Sequence, residues 1–141
     1  TNSNDMKTSR GIRNRNPGNI RRSGGHYKGE VVPSGDSEFK QFETMAWGYR
    51  AMFVLLDGYA RRHGRNTIRT MIERCAPSCE NNTRAYISTV AALSGIGCDD
   101  VLDTRSMEMM TAVVAAMSRV ENGMPADMRQ VEEGWRLYVG G

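Results

Sequence analysis

Apolar residues recur at helical spacing from residue 44 to the end of this chain, whereas residues 1–43 show no such period. Apolar positions three or four residues apart are typical of helices that bury one face. Polar capping residues, glycines and prolines divide this region into five segments. We predict helices that begin at Thr44, after Asn66-Thr67, at Asn81-Asn82-Thr83, at Asp103 or Thr104, and after Pro125. The first four should end at His63, Ala76-Pro77, Ser94-Gly95 and Asn122-Gly123.

The first of these helices is predicted to be the core of a helical lobe, residues 44–141. Its apolar residues fall on one face: Tyr49, Met52, Phe53, Leu56 and Tyr59 or Ala60. Gly48 and Gly58 lie inside the helix, where glycine is less favourable than alanine. Their presence indicates that another backbone approaches this helix closely.

Residues 10–43 alternate short extended segments with turns and therefore predict a small β lobe. Short apolar or aromatic pairs indicate its strands: Val31-Val32, and Phe39 with Phe42. The predicted fold class is α+β, mainly α, with two or three short strands before about five helices. We expect one domain, residues 10–141, preceded by a flexible polar N-terminus, residues 1–9.

The stretch Arg10 to Arg22 holds five arginines and three asparagines, and it does not predict a buried helix. Proline fixes its own φ and glycine is permissive, so Asn16-Pro17-Gly18-Asn19 predicts a tight turn that leads into a strand at Ile20. Asparagine amides on such a turn can bind ligand amides and hydroxyls, and arginines suit carboxylates and phosphates. A structural turn with a solvated arginine face explains the same residues equally well.

The net charge of +3 is small for 141 residues, but basic residues concentrate in residues 10–22 and 61–74. Such clusters suit an anionic polymer: a nucleic acid, a teichoic acid or the carboxylates of peptidoglycan. Few aromatic residues are interleaved with these arginines and no zinc-finger pattern occurs, which disfavours nucleic acid. No run of about twenty apolar residues occurs, so no membrane span is predicted. We expect a monomer that is secreted, periplasmic or virion-associated, as a mature or trimmed chain.

Cys75, Cys79 and Cys98 are the only cysteines, and His26 and His63 the only histidines. A structural zinc site takes four thiolate or imidazole ligands at recognisable spacing, which this set does not offer. No metal and no cofactor is therefore predicted. An odd number of cysteines leaves at least one thiol unpaired in a monomer, and both one disulfide and three free thiols fit the sequence.

Five motifs in order carry a resemblance to known proteins: Arg-Gly-Ile-Arg-Asn-Arg-Asn-Pro-Gly-Asn-Ile-Arg at residues 10–21, Tyr27-Lys28-Gly29, Asp36-Ser-Glu-Phe39-Lys-Gln-Phe42, Trp47-Gly48-Tyr49-Arg50-Ala51, and Ala76-Pro-Ser-Cys-Glu80-Asn-Asn-Thr83 with Tyr86-Ile87. Over about residues 10–102 the chain resembles a family of small phage and prophage proteins that are commonly labelled virion structural proteins. That family is thought to lie near the lysozyme-like peptidoglycan hydrolases. The resemblance implies a lysozyme-like fold with a small N-terminal β lobe.

The order of residues 14–42 is also similar to bacterial cell-wall glucosaminidases, which carry an asparagine-rich strand, a β lobe and an aromatic pair. This similarity implies a protein that cleaves or binds cell-wall glycan, as a glycosidase or lytic transglycosylase. Its partner would be peptidoglycan or another anionic wall polymer. Those enzymes place their acid on a helix before the asparagine-rich strand, where this chain has only Asp5. The alternative is a non-catalytic virion structural or cell-wall-binding protein of the same fold.

Glycosidic cleavage needs a carboxyl group with a raised pKa that protonates the leaving oxygen. Glu30 is the first candidate, because it follows Tyr27-Lys28-Gly29, where the glucosaminidases carry a second acidic residue; a solvated strand carboxylate is its structural alternative. Glu43 is the second candidate, since Glu38 and Glu43 flank the aromatic pair, although either could pair with local arginines. Glu80 stands before a helix, where the dipole lowers a carboxyl pKa, so we assign it to the structure.

Candidate glycan-binding residues carry amide, guanidinium or aromatic side chains: Asn14, Asn16, Asn19, Arg21, Tyr27, Trp47 and Tyr49. The amides suit N-acetyl groups and hydroxyls, the arginine suits peptide carboxylates, and the rings offer a stacking platform for sugars. Together these residues predict the substrate-binding cleft.

Overall fold

The computed structural model describes residues 8–75 and 82–141, and within them the protein is mainly helical. The six helices of these described residues, numbered here in chain order, are α1 Arg10–Arg13, α2 Met45–His63, α3 Ile68–Cys75, α4 Thr83–Ser94, α5 Met107–Asn122 and α6 Met128–Gly140. Five of them follow residue 44, as the apolar period predicts. Two isolated antiparallel bridges, Arg21 with Phe39 and Glu30 with Phe42, connect the segments between α1 and α2.

The long helix α2 begins and ends at the predicted capping residues. Thr44 Oγ1 accepts a hydrogen bond from the Trp47 backbone N–H at 3.2 Å. Gly64 closes the helix with a φ of 64°, a left-handed conformation that other residues avoid for steric reasons. Four residues of the predicted apolar face are buried in the core and at most 2% exposed: Tyr49, Met52, Phe53 and Leu56. Tyr59 and Ala60, near the end of the helix, are partly buried against the same core.

The core is built where α2 packs against α6. The ring of Phe53 meets Trp135 edge-on, with ring centroids 5.1 Å apart, and stacks on Tyr138 at 5.7 Å. Aromatic pairs in these geometries are more favourable than their buried area alone suggests. This cluster fixes α2 in place and so fixes the face that α2 presents to the N-terminal region.

We predict that Gly134→Ala destabilises the protein. A Cβ at residue 134 would lie 2.7 Å from Tyr49 Cβ and 2.9 Å from Ala46 O, so the contact between α2 and α6 would have to open. Overpacking of this kind typically costs about 1–3 kcal/mol, whereas alanine gains about 1 kcal/mol over glycine in a helix. The urea midpoint should therefore fall for Gly134→Ala but not for Gly140→Ala, because residue 140 has open space around it. Equal midpoints for the two variants would contradict the close packing.

The N-terminal region differs from the predicted β lobe. Arg10–Arg13 forms the short helix α1, and Ser9 Oγ caps it by accepting a hydrogen bond from Ile12 N at 3.2 Å. Only Gly11 of α1 is buried, so this helix forms without an apolar face. The predicted strands are short antiparallel pairings with one bridge each. Backbone hydrogen bonds such as Lys40 N to Ile20 O and Val31 N to Gln41 O join these segments, and side-chain bonds from Asn16 add to them.

The predicted cap of α5 was wrong. α5 begins after Ser106, whose Oγ accepts a hydrogen bond from a backbone N–H of the first turn at 3.2 Å. Asp103 Oδ1 instead accepts from Arg105 N within a turn, and Thr104 Oγ1 donates to Asp57 Oδ1 on α2 at 2.7 Å. All three residues have side chains that can cap a helix, and the packing of this loop against α2 decides between them.

Several predicted features fall outside the described residues: most of the flexible N-terminus, the Ala76-Pro77 helix end, Cys79, Glu80 and Asn81. Cys98 is a free thiol. Within residues 8–75 and 82–141, no group of three His, Cys, Asp or Glu side chains is placed to hold a metal ion. In the same part of the chain, no helix has the length and hydropathy that crossing a bilayer requires.

Candidate functional site

The N-terminal loop, residues 14–22, is rich in asparagine and is held together by its own side chains. Asn16 is fully buried: its Nδ2 donates to Ile20 O and Lys40 O, and its Oδ1 accepts from Ile20 N, each at 2.9 Å. Asn14 is also buried and donates to Asp36 Oδ2 at 3.0 Å. These two predicted glycan ligands are therefore engaged with the protein itself, and they join the loop to the segment that precedes α2.

Asp36 connects α1 to that segment. Arg10 Nε and Nη2 each donate to one carboxylate oxygen of Asp36 at 2.7 Å, and the backbone N–H groups of Glu38 and Phe39 donate to Oδ1. Hydrogen bonds from Arg10, Asn14 and Glu38 N hold the pKa of Asp36 far below the ordinary carboxyl value. The ionised carboxylate is thus a structural anchor.

We predict that Asp36→Asn lowers the free energy of unfolding at neutral pH and makes this free energy depend less on pH in the acidic range. Because the pKa of Asp36 is lower in the folded protein, its stabilising contribution is complete above the ordinary carboxyl pKa of about 4. That contribution is lost as the pH falls from there towards the folded-state pKa. Urea midpoints of the variant and the wild type should therefore differ most at neutral pH and converge in acid. Glu43→Gln, at an exposed carboxyl, is the control, and an Asp36→Asn profile parallel to the wild type would contradict this account.

Glu30, the first predicted acid, lies in a buried ion pair. Its side chain is 4% exposed and that of Lys40 is 1% exposed, and Lys40 Nζ lies 3.1 Å from both carboxylate oxygens. His26 Nδ1 and the Tyr27 backbone N–H contact the same carboxylate at 3.0 and 2.9 Å. Burial opposes ionisation, but these hydrogen bonds outweigh it and hold the pKa of Glu30 below its ordinary value. A general acid needs the opposite shift, so this geometry suits a structural role.

The other predicted residues near the start of α2 do not meet in one cleft. Glu43 is exposed, and its backbone N–H donates to Gly29 O at 2.9 Å. Tyr49 is 1% exposed and its hydroxyl is hydrogen-bonded to Ser118 Oγ at 2.9 Å, so its ring cannot stack on a sugar. Trp47 is half-buried and packs against Gly29, whose φ of 78° also disfavours other residues.

Asn19, Arg21 and Tyr27, the remaining predicted residues, line one cavity of about 450 Å³. This volume is typical of pockets that bind small molecules. The cavity is enclosed by the N-terminal loop, α2, the end of α3 and the last turns of α5. Its walls are largely apolar and include Ile20, Phe39, Met52, Leu55, Leu56 and Met117.

Glu121 is the one acidic side chain among the described residues that line this cavity. It lies at the end of α5 and is half-buried. Asn19 Nδ2 donates to its Oε1 at 2.8 Å, and Tyr86 OH donates to its Oε2 at 2.9 Å. In the described part of the chain, no lysine or arginine forms an ion pair with Glu121. Two neutral donors therefore hold this carboxyl beside an apolar wall.

The N-terminal loop is fixed to the end of α5 by the neighbour of Glu121. Asn122 Nδ2 donates to Pro17 O at 2.9 Å, and Ser9 Oγ donates to Asn122 Oδ1 at 2.7 Å. Asn19 has a φ of 49°, a left-handed conformation that asparagine adopts more readily than most residues. The loop thereby brings the Asn19 amide to Glu121, although 102 positions separate the two in sequence.

Arginines border the cavity and stack on its aromatic rings. Arg21 Cζ lies 4.9 Å from the centroid of the Phe39 ring, and Arg74 Cζ lies 5.7 Å from that of Tyr59. Burial, with a contribution from Cys75, raises the pKa of Tyr59 to about 12, so its hydroxyl stays neutral at physiological pH. The cavity therefore combines aromatic faces and positive charge around one carboxyl.

The sequence reasoning missed Glu121, although a signal was present. The predicted apolar face of α5 includes Val114 and Met117, and Glu121 follows them by seven and four residues. Residues at these spacings lie on the same side of a helix. A carboxyl on an apolar helical face is therefore visible in the sequence, but its contact with Asn19 depends on the fold.

The fold and the cavity define a mainly helical protein with Glu121 in a cleft bordered by arginines. No protein-family model matches the chain. The chain is 36% identical over 138 residues to Protein P5 of Pseudoalteromonas phage PM2, and the match covers 94% of this chain and 84% of that protein. The chain therefore belongs to the family of this phage protein.

Proposed function

We propose that this protein acts on the glycan of the bacterial cell wall, as a lytic transglycosylase or glycosidase with Glu121 as its proton donor. The observation that carries the proposal is the environment of Glu121, a carboxyl held by two neutral donors in an apolar cavity. Membership of a phage protein family supports it, because a phage must cross the wall of its host. In this proposal the protein is carried in the virion.

The proposed reaction begins with transfer of a proton from Glu121 to the bridging glycosidic oxygen. The bond between that oxygen and the anomeric carbon then breaks, and the carboxylate accepts a proton from the attacking hydroxyl group. That hydroxyl belongs either to water or to the same sugar. Since Glu121 is the one acid among the described lining residues, a single carboxyl has to act as acid and base. This favours the intramolecular attack of a lytic transglycosylase over a mechanism with two carboxylates.

The lining of the cavity fits an amphipathic sugar that carries carboxylates. Arg21, Arg22 and Arg74 offer guanidinium groups to the carboxylates of a peptidoglycan stem peptide. Tyr27 lines the cavity and offers an aromatic ring to the sugar, whereas Arg10 and Arg21 stack on the Phe39 ring. Asn19 has its amide directed to Glu121, so we assign it to the acid and not to the N-acetyl group.

The alternative is a non-catalytic virion protein that binds the cell wall through the same cavity. Two observations favour it: both oxygens of Glu121 already accept hydrogen bonds within the protein, and Glu30 is tied to Lys40. This protein would retain peptidoglycan without cutting it.

Digestion of purified bacterial sacculi, with soluble products resolved by mass spectrometry, tests the proposal. Anhydro-muramyl products would identify a lytic transglycosylase, and reducing-end products a hydrolytic glycosidase. Sacculi that sediment with bound protein but release no fragments over a broad pH range would overturn cleavage in favour of the binding protein. Sacculi that neither bind the protein nor change would overturn both.

A further inference from the structure

The Asn19 amide is satisfied on one side only. Its Nδ2 donates to Glu121 Oε1 at 2.8 Å, whereas its Oδ1 is buried and has no hydrogen-bond partner among the described residues. A buried carbonyl oxygen without a partner is unfavourable. The backbone of Asn19 already lies in the left-handed region, so the loop holds the residue in an uncommon conformation to keep this amide at Glu121.

Three oxygen atoms crowd the same gap beside Gly11. A Cβ at residue 11 would overlap Asn122 Oδ1 and would lie 2.9 Å from Asn16 O and 3.1 Å from Asn19 Oδ1. Asn122 Oδ1 accepts from Ser9 Oγ and Asn16 O accepts from Asn19 N, and each has a second lone pair to offer. Both acceptors border the gap that Asn19 Oδ1 also borders, so reversal of the amide would place an N–H group at this gap.

We propose that the Asn19 amide reverses its orientation when Glu121 takes up a proton. The nitrogen and oxygen of an amide have nearly the same shape, so reversal exchanges a donor for an acceptor without moving the loop. Ionised Glu121 needs the donor, and protonated Glu121 presents an O–H that needs an acceptor. Reversal meets the second need and turns the amide nitrogen towards Asn16 O and Asn122 Oδ1.

Asn19 is then a positioning residue that supports Glu121 in both protonation states. Its use in catalysis rests on the proposed function, because an acid that gives up and regains a proton in each turnover needs a partner suited to both forms. Tyr86 OH can serve both forms as well, since a hydroxyl donates or accepts.

Other charged and titratable groups face Glu121 across the cavity. Among the described residues that line the cavity, the cations are Arg21, Arg22, Lys40 and Arg74, and the other titratable groups are Tyr27, Tyr59 and Cys75. Among the described residues, Asn19 and Tyr86 donate hydrogen bonds to the Glu121 carboxylate. Asn19 and Tyr86 are thus the neighbours whose hydrogen bonds can follow the proton, and of the two only the Asn19 amide has to reverse to do so.

The test is nuclear magnetic resonance of the full chain, labelled with ¹⁵N and ¹³C. The Glu121 carboxyl carbon and the Asn19 side-chain amide should titrate with the same midpoint. Nuclear Overhauser contacts between the Asn19 amide protons and the Gly11 α protons should be strong below that midpoint and weak above it. Glu121→Leu removes the carboxylate, so this variant should show the strong contacts at neutral pH, where folding in acid is not in question. Glu108→Leu, at an exposed glutamate of the same helix, should keep the weak contacts.

Unchanged amide contacts on both sides of the Glu121 titration, or weak contacts in Glu121→Leu, would overturn the reversal. None of these spectra depends on turnover. If the protein leaves sacculi intact but shows the reversal, the proposed function fails and this inference stands. If it cleaves sacculi but the amide does not reverse, the inference fails and the proposed function stands.

Discussion

Glu121→Gln should lower the rate of glycan release from sacculi by about 10²- to 10⁴-fold, the usual contribution of a general acid or base. Glutamine keeps the shape of the side chain: its oxygen can accept from the Asn19 amide and its NH2 group can donate to the Tyr86 hydroxyl, but it has no proton to transfer. The variant should therefore fold as the wild type does and should still sediment with sacculi. The measurement is the initial rate of soluble muropeptide release, with far-ultraviolet circular dichroism as the check on folding.

Two further glutamates make this experiment decisive. Glu108→Gln removes an exposed carboxyl from the first turn of the same helix and should leave the rate unchanged. Glu43 stays the competing candidate from the sequence, so Glu43→Gln belongs in the same assay. If Glu121→Gln releases muropeptides at the wild-type rate and Glu43→Gln releases none, the general acid is Glu43 and the cavity is a binding site.

Lys40→Met should destabilise the protein by about 3–5 kcal/mol, the range found when one partner of a buried ion pair is removed. The Glu30 carboxylate would remain 4% exposed and would keep only His26 and the Tyr27 backbone N–H as partners. Burial would then dominate and raise the pKa of Glu30 in the variant. Because a raised carboxyl pKa stabilises the fold below that pKa, the stability lost at neutral pH should partly return as the pH falls towards about 4. Urea unfolding across this pH range measures both effects.

The controls separate the buried charge from the loss of side-chain volume. Lys28→Met changes an exposed lysine and should leave the urea midpoint within error of the wild type. The double variant Lys40→Met with Glu30→Gln removes the unpaired charge as well and should recover much of the stability. A double variant no more stable than Lys40→Met would show that the ion pair is not the cause.

These two predictions divide the acidic residues by role. Glu30 has a cation and a backbone N–H for its carboxylate, and such partners favour the ionised form. Glu121 has an amide and a hydroxyl, which can serve either form. Loss of folding in the first case and loss of cleavage in the second would confirm the division.

The helices after residue 44 could be predicted from the sequence, apart from the cap of α5. α2 is bounded by Thr44 and Gly64 as predicted. Capping groups act on the nearest turn of backbone, so the residues next to the helix end are enough to predict them. The apolar face of α2 is buried as predicted, because the helical period alone defines which residues share a face. The mainly helical class followed from the same two local rules.

The tertiary structure alone decided the site. Asn14, Asn16 and Glu30 have the side chains of ligands and acids, and nothing local in the sequence reveals that the fold engages all three internally. Asn19 and Glu121 meet only because the N-terminal loop lies against the end of α5, and that contact depends on packing between segments far apart in the chain. The sequence gives the chemistry of each side chain, but burial and partners are properties of the fold. They decide that Glu30 lies in a buried ion pair and that Glu121 lines the cavity.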